Sequence, residues 1–345
     1  MKVRVRRVGM LFGAALAIAA AAAAFVGSAS GAGAAKFNIA VFYYNGSPYG
    51  ISQLRGAQQE AKALGNVGIT GFNANNDPHL QQTQLQDAIT TGKYQGMIVA
   101  ALDGHGLAPT IKQAEGKGIK VVVLDYTLGT LDQTKVLKPT PGLVSTVGQG
   151  LREQITGWGL AVKKACTAKV GAGNPCSVAF MYGLANYPTD AYRVGVLKKM
   201  FASGPDKLLI MPPGNYDQAT AQKVTLDFFQ KKPHVDVFAT FGDQMNAGAD
   251  VAFKQLGLTP GKDFLEVGFG NTKQGIAWIK SGKWYSSGAY YPTTSSIVAV
   301  KTLVDALNGK KVPTTINMLH RPGTPLIIDQ AFLKAHPNFK ADWHL

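Results

Sequence analysis

The chain has 345 residues, 46% of them hydrophobic and 16% charged, with 35 Lys and Arg against 20 Asp and Glu for a formal net charge of +15. This length exceeds what one hydrophobic core fills, so two compact lobes are expected, and the composition is that of a globular protein. The basic residues are scattered as on a solvated surface, and with no zinc spacing, helix-turn-helix signal or interleaved aromatic and basic motif, nucleic acid is excluded as a partner.

In chain order, Lys2, Arg4, Arg6 and Arg7 precede an uncharged stretch from Met10 to Val26 rich in Ala, Leu and Ile, followed by small residues from Ser28 to Ala34. This is the pattern of a secretory signal peptide over residues 1–34, with Ala32-x-Ala34 satisfying the cleavage rule and a mature start at Ala35 or Lys36. The apolar core lies near the lower length needed to span a bilayer, so a retained anchor is the weaker reading. A soluble protein of the periplasm or the extracellular space is expected.

From Phe37 the pattern alternates buried strands with amphipathic helices. Strands are expected over Phe37–Tyr44, Val67–Phe72, Gly96–Ala101 and Lys120–Asp125, with helices over Gly50–Leu64, Pro78–Thr91 and Leu107–Gly116 between them. The unbroken apolar run before Asp125 suits a parallel sheet covered on both faces. After a Pro- and Gly-containing link from Lys138 to Gly142 the rhythm restarts: helices over Leu151–Ala165, Ala191–Ala202, Ala219–Lys231 and Ala247–Leu256 alternate with strands over Ser177–Tyr182, Leu208–Met211, Val237–Phe241 and Phe264–Phe269. The expected fold is therefore α/β, with two doubly wound parallel-sheet lobes; one eight-fold barrel is the rival, disfavoured by the interrupting link.

Only Cys166 and Cys176 occur, bracketing a short loop, and export to an oxidising compartment makes their disulfide the expected pairing. Two Cys and six scattered His give no metal-ligand spacing, and neither a metal nor a cofactor is expected. No Gly-x-Ser-x-Gly elbow, dinucleotide loop or phosphate loop is present, so the chain reads as a binding protein rather than an enzyme. In open parallel sheets ligands sit beyond the carboxyl ends of the strands. The residues there are polar or aromatic: Tyr43-Tyr44-Asn45, Asp103-Gly104-His105, Asp125-Tyr126, Tyr182, Phe241-Gly242-Asp243 and Gly270-Asn271. Tyr43 and Tyr44 point to opposite faces of their strand, and Tyr44 is taken as the one facing the cleft.

The stretches Ile39–Tyr44 with Gly56–Ala61, Asn76-Asp-Pro with Gln84–Ile89, Ile119–Asp125, Phe238–Ala249, Glu266–Gly270 and Thr324–Ile328 stand in an order and spacing that resembles the ribose-binding protein family of periplasmic sugar-binding proteins. That family also supplies the effector domain of lactose-repressor-like regulators. The resemblance implies two lobes joined by three chain crossings near Thr146, Tyr291 and Pro325. Residues 36–146 with 292–324 would form the N-terminal lobe, and 147–291 with 325–345 the C-terminal lobe. It also implies a hinge that closes on a small ligand and delivers it to the permease of an ABC transporter, the binding protein itself being a monomer.

Carried over residue by residue, the resemblance places Ser47 and Tyr49 after the first strand, Asp125 at the end of the fourth and Tyr126 where the family has a sugar-gripping Arg. Tyr216 matches the aromatic wall of the second lobe, Gly242 before Asp243 the family's Asn before Asp, Gly270 before Asn271 its Asp, and Tyr290 its Gln. The Arg of the second lobe's first helix has no secure match among Asp190, Tyr192 and Arg193; Tyr192 is taken as the ligand residue. With tyrosines replacing charged groups, the ligand is expected to be a sugar or a less hydroxylated, more apolar or aromatic relative. A protein that presents its ligand to a chemoreceptor or histidine kinase is the alternative, whereas a DNA-binding regulator would need a DNA-binding domain where the signal peptide stands.

Overall fold

A computed structural model describes residues 36–129, 136–185 and 187–345; the expected signal peptide lies outside them. The first part of the described chain runs β1 (Phe37–Tyr43), α1 (Pro48–Leu64), β2 (Val67–Asn73), α2 (Pro78–Thr91), β3 (Gly96–Ala100), α3 (Ala108–Gly116), β4 (Lys120–Asp125) and β5 (Ser145–Gly148). The second runs α4 (Leu151–Val170), β6 (Ser177–Met181), α5 (Pro188–Ala202), β7 (Lys207–Ile210), α6 (Gln218–Phe229), β8 (Val237–Thr240), α7 (Asp243–Gln255), β9 (Leu265–Gly270), α8 (Lys273–Ser281) and β10 (Ser286–Ala289). The chain ends with α9 (Pro292–Leu307), β11 (Thr315–Asn317), β12 (Ile327–Asp329) and α10 (Gln330–Ala335).

Two six-stranded sheets result, ordered β11-β5-β4-β3-β1-β2 and β12-β10-β9-β8-β6-β7. The expected pair of wound sheets is thus present. The chain passes from one sheet to the other after β5, after β10 and between β11 and β12. The sheets depart from purely parallel pairing at one place: β12 runs antiparallel to β10, through Ser286↔Asp329 and Gly288↔Ile327. It arrives from the far sheet rather than through a helical crossover, so nothing constrains it to the parallel sense.

Local chemistry explains where the helices begin. Pro sits in the first turn of α1, α2, α3, α5 and α9, where its missing N–H is not needed. Asp77 accepts from the amides of His79 and Leu80 to cap α2, and Asp217 accepts from Thr220 to cap α6. The first-sheet core gathers Ile39, Val41, Ile98, Val122 and Leu124 under α9, while the second is aromatic, with Trp158, Phe180, Phe238, Phe241, Phe253 and Phe269 fully enclosed. Trp158 satisfies its indole N–H on the Gly268 carbonyl at 2.8 Å and stacks on Phe269. Cys166 and Cys176 are disulfide-bonded, fastening the end of α4 to the start of β6.

Candidate functional site

The carboxyl ends of β1, β4, β6, β8 and β9 meet at a cavity of about 110 Å³. Asp125 closes β4 in a left-handed conformation (φ 70°), and a side chain on the paired Gly148 would lie 2.0 Å from its carbonyl oxygen. Only glycine allows β5 to pass so close. The Asp125 carboxylate accepts from Gln53 Nε2 at 2.9 Å, and the buried Tyr44 hydroxyl faces it without completing a hydrogen bond of normal geometry. Burial pushes the Asp125 carboxyl up to about 6, against the opposing pull of the Tyr44 and Tyr49 hydroxyls and Gln53.

Ser47 lines the cavity and also caps α1 through Gly50 N. One turn later the Tyr49 ring meets Tyr290 and Trp343 edge-on, each at 5.6 Å between centroids. Burial raises the Tyr44, Tyr49, Tyr126 and Tyr216 hydroxyls well above their ordinary range and Tyr290 to about 12, so all enter hydrogen bonding as neutral phenols.

Opposite Asp125 stands Arg193, on α5 and 2% exposed. Its Nη1 donates to Asp190 at 3.0 Å and to the Tyr216 hydroxyl at 3.2 Å. Its Nη2 reaches three acceptors: the hydroxyls of Tyr126 and Tyr290, both at 2.5 Å, and Gln154 Oε1 at 3.0 Å. That atom carries two N–H groups, so one acceptor always shares a proton and can be exchanged for a ligand oxygen without loss. The Tyr126 contact ties an element of the second sheet to one of the first. Tyr216 lies against Gly183, where an added Cβ would come within 2.0 Å of its ring, and donates to Asp190 at 2.7 Å. The Leu184 amide donates to the other Asp190 oxygen at 2.7 Å, so this carboxylate is spent on positioning Arg193 and Tyr216.

Of the residues expected from sequence, Tyr44, Ser47, Tyr49, Asp125, Tyr126, Tyr216, Gly242 and Tyr290 line the cavity together. Tyr192, Asp243 and Asn271 are not among the lining residues. Tyr192 is half-buried beside the second core, and its neighbour Arg193 takes the cleft-facing position. Asp243 is fully enclosed, accepting from Thr272 N and Oγ1 at 3.2 and 2.8 Å and from Ser287 Oγ at 2.8 Å, which binds the start of α7 to the ends of β9 and β10. The lining residues that sequence reasoning missed are chiefly Tyr187, Phe269 and Trp343, and Arg193 was passed over for Tyr192. Arg193 was within reach as the only cation on the first turns of its helix; Trp343 gave no signal, being far along the chain from any strand tip. No group of three or more His, Cys, Asp or Glu among the described residues is placed to hold a metal, and no described helix is long and apolar enough to cross a membrane.

Residues 39–311 match the family described as the periplasmic binding protein domain. The chain is similar to the D-allose-binding periplasmic protein of Escherichia coli, 26% identical over 270 residues that cover 77% of this chain and 83% of that one. It is likewise similar to the xylitol-binding protein of Mycolicibacterium smegmatis, 26% identical over 307 residues that cover 86% and 82% of the two chains. In structure it resembles an ABC transporter periplasmic solute-binding protein from Actinobacillus succinogenes with bound D-allose, with a TM-score of 0.72, 22% identity and coverage of 87% of this chain and 100% of that one.

Proposed function

The chain belongs to the periplasmic binding protein family, a family of binding proteins and not enzymes, and on that premise we propose that it captures a small sugar or polyol for the permease of an ABC importer. The reading takes residues 1–34 as a cleaved secretion signal and the mature protein as a periplasmic or extracellular monomer. Its two lobes are residues 36–146 with 292–324 and 147–291 with 325–345, closing on the ligand by hinge bending. The relatives named for D-allose and xylitol support a hydroxylated ligand.

One observation carries the reading: a buried carboxylate, Asp125, and a buried guanidinium, Arg193, stand in one cavity walled by Tyr44, Tyr49, Tyr126, Tyr216 and Tyr290. A carboxylate and a fork of N–H donors grip hydroxyl groups, while flat rings cover the C–H faces between them. Because Asp190 already neutralises Arg193, a neutral ligand needs no further counter-charge. Many rings and few charges favour a ligand with fewer hydroxyls than a hexose, and pentoses and deoxy sugars fit that description.

The test is thermal denaturation of the purified protein with xylitol, D-allose, D-ribose, myo-inositol, aromatic acids and nucleosides. A ligand at a hundred-fold excess over its dissociation constant stabilises by about 2.7 kcal/mol. A shift confined to sugars or polyols is expected; a shift given only by an aromatic acid or nucleoside would overturn the assignment.

A further inference from the structure

The most unusual wall of the cavity comes from residues 341–345, which no strand-tip argument reaches. Trp343 is 4% exposed and pairs alongside Thr272; its indole N–H donates to the Gly270 carbonyl at 2.6 Å and its own carbonyl accepts from Lys273 N at 2.9 Å. It therefore covers the tip of β9. Asn271, the polar residue at that tip, is 1% exposed, lies outside the cavity lining and gives its carbonyl to Asp342 N at 3.2 Å. An indole ring stands in the cavity wall beside the tip, edge-on to Tyr49 of α1.

The residue before it reaches the other sheet's layer. Helix α9 packs on α1 and starts directly after the second crossing, and its own N-cap residue, Tyr291, makes no side-chain cap. The Asp342 carboxylate supplies that cap instead, accepting from Thr293 N at 2.8 Å, Thr294 N at 3.2 Å and the Thr294 hydroxyl. An anion on open amides at a helix N-terminus is the stabilising sign of charge. The outer residues repeat the division: His344 accepts from Arg55 of α1 at 3.3 Å, and Leu345 N donates to Gln274 of α8 at 3.1 Å.

We propose that residues 341–345 are a working part of the binding site: Trp343 is a specificity-determining wall, and Asp342 ties it across the hinge to α9, as a non-covalent connection between the halves beside the three chain crossings. The ligand-facing role of Trp343 rests on the binding reading above; the tie does not. The indole puts an apolar surface over the β9 tip and keeps the Asn271 amide away from the ligand. It thereby selects for a ligand whose edge there is C–H or CH₂ rather than hydroxyl. Opening the cleft about its crossings must strain or release the Asp342 cap.

The tie is tested on the ligand-free protein. In Asp342→Ala, hydrogen exchange at the Thr293 and Thr294 amides should quicken at least tenfold with the rest of α9 unchanged, and spin labels on α2 and α6 should report a broader interlobe distance. A chain ended after Lys340 should broaden it further, and cooperative denaturation of Asp342→Ala shows that the fold survives. Unchanged exchange and an unchanged distance would remove the tie.

The wall is tested by titrating Trp343→Phe and Trp343→Ala with D-galactose and its 6-deoxy analogue D-fucose, and with D-allose and xylitol. Trp343→Ala should weaken the better-bound probes tenfold or more and narrow the preference for the deoxy member, with Trp343→Phe between it and the wild type. Wild-type affinities and ratios in Trp343→Ala would remove the wall. If the wild-type protein binds none of the probes, the sugar reading and the wall fail together, while the exchange result still decides the tie.

Discussion

Asp125 and Asp243 are the same residue type, both buried beside strand ends and both pushed up to about 6 by burial, yet they do opposite work. Asp243 looks inward and is saturated by Thr272 and Ser287, so it cements three elements. Asp125 looks into the cavity, held on one side by Gln53, with the neighbouring Tyr44 hydroxyl uncommitted. The contrast teaches that burial and a raised pKa do not mark a functional acid; what distinguishes Asp125 is carboxylate surface left for a partner from outside the fold.

The sharpest way to break that contrast is to truncate both. Asp243→Ala should cost about 2–4 kcal/mol of stability, because it strands the Thr272 and Ser287 hydroxyls in the core. Asp125→Ala should stay within about 1 kcal/mol of wild type in denaturant melts and yet lose sugar or polyol affinity by about a hundred-fold or more. Equal destabilisation by the two would erase the distinction. Removing the disulfide with Cys166→Ala and Cys176→Ala, which closes a loop with a sequence separation of 10, should cost about 2–3 kcal/mol in urea melts and leave affinity unchanged.

A smaller effect, of about 1 kcal/mol, should follow Tyr126→Phe, which deletes one hydroxyl acceptor of Arg193 and its contact between the sheets. Calorimetric titration should show a few-fold change in affinity, since Tyr290 and Gln154 still hold the guanidinium.

The pH response divides stability from binding. Asp125, Asp243 and Asp342 all have folded pKa values raised to about 6, above the ordinary aspartate range of an unfolded chain. The native state therefore holds more protons than the unfolded one between about pH 4 and 6, and stability should rise as pH falls from 7.5 toward 5. Ligand affinity should move the other way, falling by up to about tenfold per unit below pH 6 as the Asp125 carboxylate is protonated and loses acceptor capacity. Melting temperature and affinity measured over the same pH series check both signs.

Much of the architecture was legible because buried parallel strands write themselves as apolar runs, as in Val121–Leu124. Strand β10 was not: Ser286-Ser287-Gly288-Ala289 carries no apolar run, and it is a strand because Ser287 bonds Asp243 and Gly288 admits the Phe269 ring. At the site, strand tips led to Asp125, Tyr126 and Tyr44. On a helix, neighbouring residues point about 100° apart, so an alignment uncertain by one residue exchanged Arg193 for Tyr192. Trp343 joins the cavity through one bridge and one indole hydrogen bond, contacts that no local pattern encodes.

The most direct measurement is a crystal structure of the protein with whichever of xylitol, D-allose, D-ribose or myo-inositol binds best. The account predicts ligand hydroxyls within hydrogen-bond distance of both the Asp125 carboxylate and the Arg193 guanidinium, with Tyr49 or Trp343 against a C–H face. A ligand seated elsewhere, or one held in this cavity without touching either charged group, would contradict it.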